Sequence, residues 1–288
     1  MSKTGDSAPL SVTDHDRGAT GMKYVYAVVS RRAGGVSIGV NLNPNNACNW
    51  RCVYCQVPDL VRGAAPPIDL ARLERELREL LEDIRSGSFM RARVPPDARR
   101  LRDLAFSGNG EPTSSPQLAQ AIDRVAALRD EFELGAKLPL VLITNGSLVG
   151  RPHVRRALAR LAAHGGELWF KLDRATREGL ESLSSTPVDP ARHLARLREA
   201  AATCPTRIQT CMFERGGAPP DGEEIAAYLG ALRTLVSDGV TLRGVLLYGL
   251  ARPPLQPEAG ELGSVSQEWL ERLAARVEAL GLPVQVST

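Results

Sequence analysis

The chain is poor in aromatic residues, in histidine and in long apolar runs. Phe, Tyr and Trp make up only 5% of its 288 residues, too few to claim a face of stacked rings for nucleic-acid bases. Four histidines, spread along the chain, form no evident His-based catalytic constellation. No apolar run approaches the ~18 residues of a membrane-spanning helix; the longest, such as 138–143 and 245–250, are of buried-strand length. Residues 1–21 are polar, carry Asp14 and Asp16 and lack an apolar stretch, so they do not read as a secretory signal. The expectation is a disordered tail over residues 1–22 and one core domain over 23–288, ending in a C-terminal helix. A net charge of +3 is too small by itself to argue for a nucleic-acid partner. Five cysteines, three of them packed together, suit a cluster site in a reducing cytoplasm better than a secreted disulfide framework.

Those three lie in Cys48-Asn49-Trp50-Arg51-Cys52-Val53-Tyr54-Cys55, spaced x3 and then x2. Thiolates are soft ligands that select Zn, Cu(I) or iron–sulfur clusters. A zinc site takes four protein ligands, or three and a water at a catalytic centre. No histidine or fourth cysteine lies near enough in sequence to complete a zinc-finger spacing. A cubane [4Fe–4S] cluster accepts three thiolates and keeps one iron open, which fits this segment better. A zinc half-site and a set of redox-sensing thiols are the alternatives.

The rest of the chain alternates between two periods. Residues 24–32 read as a short strand, Gly34-Gly35 as a turn and 36–42 as the first core strand. Val36, Ile38, Val40 and Leu42 share one face of it, and Ser37, Gly39, Asn41 and Asn43 the other. An amphipathic helix starts after Asp69, a good N-cap, and repeats leucine at helical spacing. Strands follow at 101–106, 139–144, 167–172, 207–213 and 241–250, separated by helices near 115–129, 152–164, 190–202 and 221–236. A last helix, 266–280, and a short apolar end, 282–286, close the sequence. Six βα units imply a parallel sheet with right-handed crossovers. Six are too few for a closed eightfold barrel, so the expected fold class is α/β, a partial open (β/α)6 TIM-like barrel. Ligands in such folds bind beyond the carboxyl ends of the strands.

The cysteine spacing, with Tyr54 just before the third cysteine, resembles the signature of the radical S-adenosylmethionine (SAM) superfamily, whose cores have this (β/α)6 shape. The resemblance covers roughly residues 35–250. It implies a [4Fe–4S] cluster on Cys48, Cys52 and Cys55 that SAM chelates through its open iron. Reductive cleavage of SAM would then give a 5′-deoxyadenosyl radical that abstracts hydrogen from a substrate. Gly108-Asn109-Gly110-Glu111 resembles the glycine-rich, Glu-ended motif that holds the SAM amino group, although the usual form is Gly-Gly-Glu. Lys171 and Asp173 end the fourth strand, where the family often binds the SAM carboxylate and ribose; Asn145 sits at another family-like position. Ile208–Phe213 and Leu247–Pro254, with Gln209, Tyr248 and Leu250, are similar to segments in a branch that includes the tRNA wybutosine-synthesis enzyme, though no flavodoxin-like domain is evident here.

Cys211 shares a strand face with Gln209 and Phe213, which makes it a candidate hydrogen donor or second metal ligand, whereas Cys204 reads as structural. Arg174, Arg177, Arg215 and Arg252 follow strands and suggest an anionic, phosphate- or carboxylate-bearing substrate. Arg91, Arg93, Arg99, Arg100 and Arg102 precede the second strand and read as a solvated face at the opposite end. The implied partners are SAM, that substrate and a one-electron donor such as flavodoxin or ferredoxin. A non-catalytic, metal- or cluster-bearing RNA-binding module is the rival reading.

Overall fold

The computed structural model describes residues 10, 21–30 and 34–287. The expected tail falls largely outside these residues, but Leu10 is buried and its amide donates to the Arg93 carbonyl at 2.8 Å.

One sheet of eight strands carries the fold: β1 (Val25–Ser30), β2 (Gly35–Val40), β3 (Leu101–Phe106), β4 (Leu140–Thr144), β5 (Glu167–Lys171), β6 (Thr206–Met212), β7 (Val245–Gly249) and β8 (Val284–Ser287). Their order in the sheet is their order in sequence. β1 runs antiparallel to β2, and every later pair is parallel. β1 and β8 are edges that do not pair with each other, so the barrel is open as the count of units implied. The short apolar C-terminal end is itself a strand, which the sequence left unassigned.

Period decides which face each residue takes. Ile38, Val40, Leu104, Phe106, Leu142, Phe170, Ile208 and Leu247 face outward into the main core beneath the helices. Their inward-facing neighbours include Ser37, Asp103, Ile143, Lys171, Gln209, Cys211 and Tyr248, and these line a cavity. Burial of each outer-face side chain contributes ~1.5–3 kcal/mol, and that fixes the register which turns the polar set inward.

The helices are α1 (Leu70–Ser86), α2 (Ser88–Arg93), α3 (Leu118–Glu131), α4 (Pro152–Ala163), α5 (Arg177–Ser184), α6 (Pro190–Thr203), α7 (Gly222–Ser237) and α8 (Gln267–Glu278). Asp69 caps α1 by accepting from Arg72 N at 2.9 Å, and Gly87 ends it with φ at 77°. Leu73, Leu77, Leu80 and Leu81 form its buried stripe. Helix α5 was not expected from the sequence. Its signals were a Thr176 cap, Glu178 in the first turn, and Leu180 and Leu183 three apart, but eight residues are too few for a convincing period. None of the described helices is long and apolar enough to cross a membrane.

Candidate active site

The carboxyl ends of the parallel strands open onto one cleft, lined by Cys48, Cys52 and Cys55 from the loop after β2, and by Gly108, Gly110 and Glu111 after β3. Asn145 after β4, Lys171 at the end of β5, Cys211 and Gln209 on β6, and Tyr248 to Arg252 at the end of β7 line it too. Of the residues expected there, Asn109 and Asp173 are not among its lining; each is turned to brace its neighbours.

The cysteine loop is held from below and behind. Ala47–Cys48 pairs with Val61–Arg62 as a two-residue ladder. Trp50 is buried beside His193, ring centroids 5.6 Å apart. The amides of Arg51 and Val53 donate to the Ser184 and Leu183 carbonyls, both at 2.9 Å, so the C-terminal turn of α5 is the shelf on which the loop rests. Arg51 grips Glu258 through two nitrogens, at 2.6 and 2.7 Å. Leu255 N donates to the Cys55 carbonyl at 2.9 Å, and Gln256 Nε2 bridges the carbonyls of Cys55 and Val57. The clamps from α5 and from residues 255–258 leave no mark in the local sequence, because their partners lie 130 to 207 positions away.

The three thiols are free and partly exposed. Burial pushes the Cys48 thiol up to about 12, with Glu111 adding to the shift, and burial likewise raises Cys52; a bound metal reverses this by stabilising thiolate. Among the described residues no three His, Cys, Asp or Glu side chains converge on a single metal ion. A cubane asks for something different, since each thiolate takes its own iron and the sulfurs stand further apart than round one ion. The soft, three-sulfur donor set at the mouth of a lined cleft therefore fits a [4Fe–4S] cluster.

Glu111 is buried at 3% exposure, and its carboxylate is built into the site. Oε1 accepts from Thr113 N at 3.1 Å, Thr113 Oγ1 at 2.5 Å and Thr144 Oγ1 at 2.6 Å, and Oε2 accepts from Asn145 N at 2.7 Å. Burial raises its pKa, and these donors pull the other way. Oε2 keeps a lone pair for one more donor. The loop before it is pressed onto the cysteine segment: a Cβ on Gly110 would stand 2.0 Å from the Ala47 carbonyl oxygen. Asn41 Oδ1 accepts from Asn43 N and Asn109 N, and Asn109 Nδ2 donates to Asn46 Oδ1. Asn145 Nδ2 donates to Asn49 Oδ1 at 3.0 Å. These asparagines knit the loops together.

Lys171 Nζ donates to Tyr54 Oη at 2.6 Å, and Tyr54 Oη donates to Asp173 Oδ2 at 2.7 Å. Asp173 Oδ1 accepts from Cys211 N at 2.6 Å. Burial opposes the Lys171 charge, but Tyr248, Asp173, Cys52 and Cys211 outweigh it and hold its pKa above the usual value. The ammonium has two further hydrogens to give. Three of the four arginines expected at the mouth are committed elsewhere. Arg174 is buried on the Asp173 and Cys211 carbonyls, Arg177 pairs with Asp189, and Arg215 pairs with Glu261. Arg252 alone of the four lines the cleft, and it donates to Gln56. Cys204 is buried with its thiol 3.8 Å from the Gly166 carbonyl, a packing role.

Residues 42–203, more than half of the chain, match the family model described as Radical SAM superfamily. A radical SAM methyltransferase from Sphaerobacter thermophilus superposes with a TM-score of 0.59 at 18% identity, over 88% of this chain and 66% of that one. Among curated proteins, the chain is 29% identical over 134 residues to the UPF0026 protein MJ1312 of Methanocaldococcus jannaschii, 46% of this chain and 36% of that one. It is 26% identical over 131 residues to the GTPase Obg of Brachyspira hyodysenteriae, 46% of this chain and 16% of that one. It thus spans well under half the length of either curated relative.

Proposed function

Because the chain belongs to the radical SAM superfamily, whose members are enzymes using a [4Fe–4S] cluster and SAM, we propose that Cys48, Cys52 and Cys55 hold the cluster and that the cleft beside them takes SAM. Held by Cys48, Cys52 and Cys55 and reduced, such a cluster would supply one electron to the sulfonium of SAM, the chemistry that opens its C5′–S bond to a 5′-deoxyadenosyl radical. The chain's own residues bind and orient. Glu111 Oε2, with the carbonyls of Gly108 to Gly110, accepts hydrogen bonds from the SAM ammonium. Lys171 neutralises the carboxylate, with Tyr54 holding its amine in place and Asp173 fixing the Tyr54 proton. Asn145 ties this frame to the cysteine loop, and Tyr248 and Leu250 border the adenosyl side. Cys211 is the candidate donor of a hydrogen atom to a substrate radical; its thiyl product takes an electron from the external donor and a proton from solvent.

The carrying observation is that Glu111, in the loop after β3, and Lys171, at the end of β5, both line the cleft that all three loop cysteines line. An external one-electron donor such as flavodoxin or ferredoxin and a reducing, cytoplasmic setting accompany this reading. Residues 23–288 act as one core. Segments 208–213 and 247–254 favour the wybutosine-synthesis-like branch.

Anaerobic reconstitution should give brown protein that forms 5′-deoxyadenosine from SAM and dithionite, and Cys52→Ala should lose both properties. If the variant keeps them, the assignment fails. A cluster indifferent to SAM, with salt-sensitive RNA binding, would favour a non-catalytic RNA-binding module instead.

A further inference from the structure

Gln209 occupies the interior of the half-barrel, on the inward face of β6, in register with Lys171 on one side and Leu246 on the other. It is fully buried, and neither its Nε2 nor its Oε1 has a hydrogen-bond partner among the described residues. Buried side-chain amides are normally paired, and an unmade bond costs ~1–3 kcal/mol per group. Gln209 nevertheless lines the cleft. An ordered water would relieve part of that cost and be displaced at little expense.

The surroundings say what else fits. Ala105, Val141, Trp169 and Leu246, with Ile143 against them, form an apolar cluster on the same inner face. Asp103 also lines the cavity and is buried, accepting from Ser37 Oγ. The cations among the described lining residues are Lys171, tied to Tyr54, and Arg252 at the mouth. A carboxylate placed here would face the Gln209 carbonyl with no hydrogen to give it. An uncharged amide offers one acceptor and one N–H side by side, the complement of Gln209 Nε2–H and Oε1.

We infer that the barrel interior beside Lys171 is a subsite for an uncharged amide-type group of the substrate, a carboxamide or a cyclic amide, held by paired hydrogen bonds to Gln209. This deepens the function proposed above, resting on its reading of the cleft as the place where SAM is cleaved and Cys211 meets a substrate radical. It also turns Gln209 away from SAM, where the sequence resemblance had put it. Arginines that suggested an anionic substrate are mostly bonded to the protein, which agrees.

The test uses the reconstituted full chain with three probes: nicotinamide for the carboxamide, uracil for the cyclic amide, and nicotinate as the charged control. Affinities are read by ligand-observed NMR, alongside SAM titration and 5′-deoxyadenosine formation. Wild type should bind nicotinamide or uracil at least tenfold tighter than nicotinate, and whichever amide binds tells which type fits. Gln209→Met, near-isosteric but without donor or acceptor, should abolish the preference. Gln209→Glu, which keeps the shape and brings a charge, should bind neither amide better than nicotinate does in wild type. Equal binding of amide and acid, no binding of any probe at millimolar concentration, a preference that survives Gln209→Met, or an equal loss of SAM affinity in that variant would each overturn the inference. An intact amide preference without 5′-deoxyadenosine formation would count against the proposed function alone; product formation without the preference would count against this subsite alone.

Discussion

The hydroxyl of Tyr54 lies 2.7 Å from Asp173 Oδ2. The residue before the third cysteine thereby takes up a carboxylate that its strand position would otherwise offer to a ribose. Asp173 spends its other oxygen on Cys211 N, so it orders β5, β6 and the cysteine loop with respect to one another.

Tyr54→Phe should expose that dependence. It leaves the buried Asp173 oxygen and Lys171 amine without their shared partner, costing ~1–3 kcal/mol of stability, read by chemical denaturation. SAM affinity should fall about tenfold as Lys171 loses its fixed position. An unchanged SAM titration would mean that Tyr54 does not orient Lys171 for the cofactor.

Thr144→Val keeps the shape of β4's last residue and removes the donor to Glu111 Oε1. Burial then acts on Glu111 with one opposing bond fewer, and its pKa should rise further. SAM binding should weaken about fivefold to tenfold, for the loss of roughly 1–1.5 kcal/mol, with iron content unchanged. Loss of iron instead would place Thr144 in support of the cysteine loop.

Gly110→Ala drives a methyl group into the Ala47 carbonyl, one residue before Cys48. Both contacting atoms are backbone-bound, so the loops must separate. Iron per chain after reconstitution should fall severalfold, while far-UV circular dichroism stays the same. Full iron loading would show that the cysteine loop tolerates the shift.

His193 predicts an acid limit. It is buried, its Nε2–H donates to the Lys171 carbonyl at 2.9 Å, and burial lowers its pKa from 6.5 to about 4. Between those values the unfolded chain takes a proton that the folded chain refuses. The contribution to stability is complete above pH 6.5 and drains away as pH falls towards 4, about 3 kcal/mol in all. His193→Leu should flatten the stability–pH curve in that window. A wild-type curve already flat between pH 6.5 and 4 would contradict it.

Some of this was written plainly in the sequence. Cys48 to Cys55 and Gly108 to Glu111 stand at strand ends, where parallel sheets gather ligands, and alternation along β2 correctly sent Ser37 inward and Ile38 outward. Asp173 is turned onto the Tyr54 hydroxyl and away from the cleft lining, which its place two residues after Lys171 could not foretell. Arg174, Arg177 and Arg215 were misjudged for a related reason, since a charge after a strand finds the nearest carbonyl or carboxylate before any ligand. Helix α5 escaped because its short period carries little signal, and with it went the shelf under the cysteine loop. Thr144 gave no sign of its own; only the folded neighbour Glu111 lends it a role.

That shelf sets an order of events during synthesis. Cys48, Cys52 and Cys55 leave the ribosome well before Leu183, Ser184, Leu255, Gln256 and Glu258, which hold their loop and follow 128 or more residues later. The loop's final shape therefore waits for most of the chain, and iron delivered to a nascent fragment meets three thiols without a seat. A fragment ending at residue 176 should take up far less iron under anaerobic reconstitution than the whole chain; equal uptake would show that the cysteines assemble their site without the later segments.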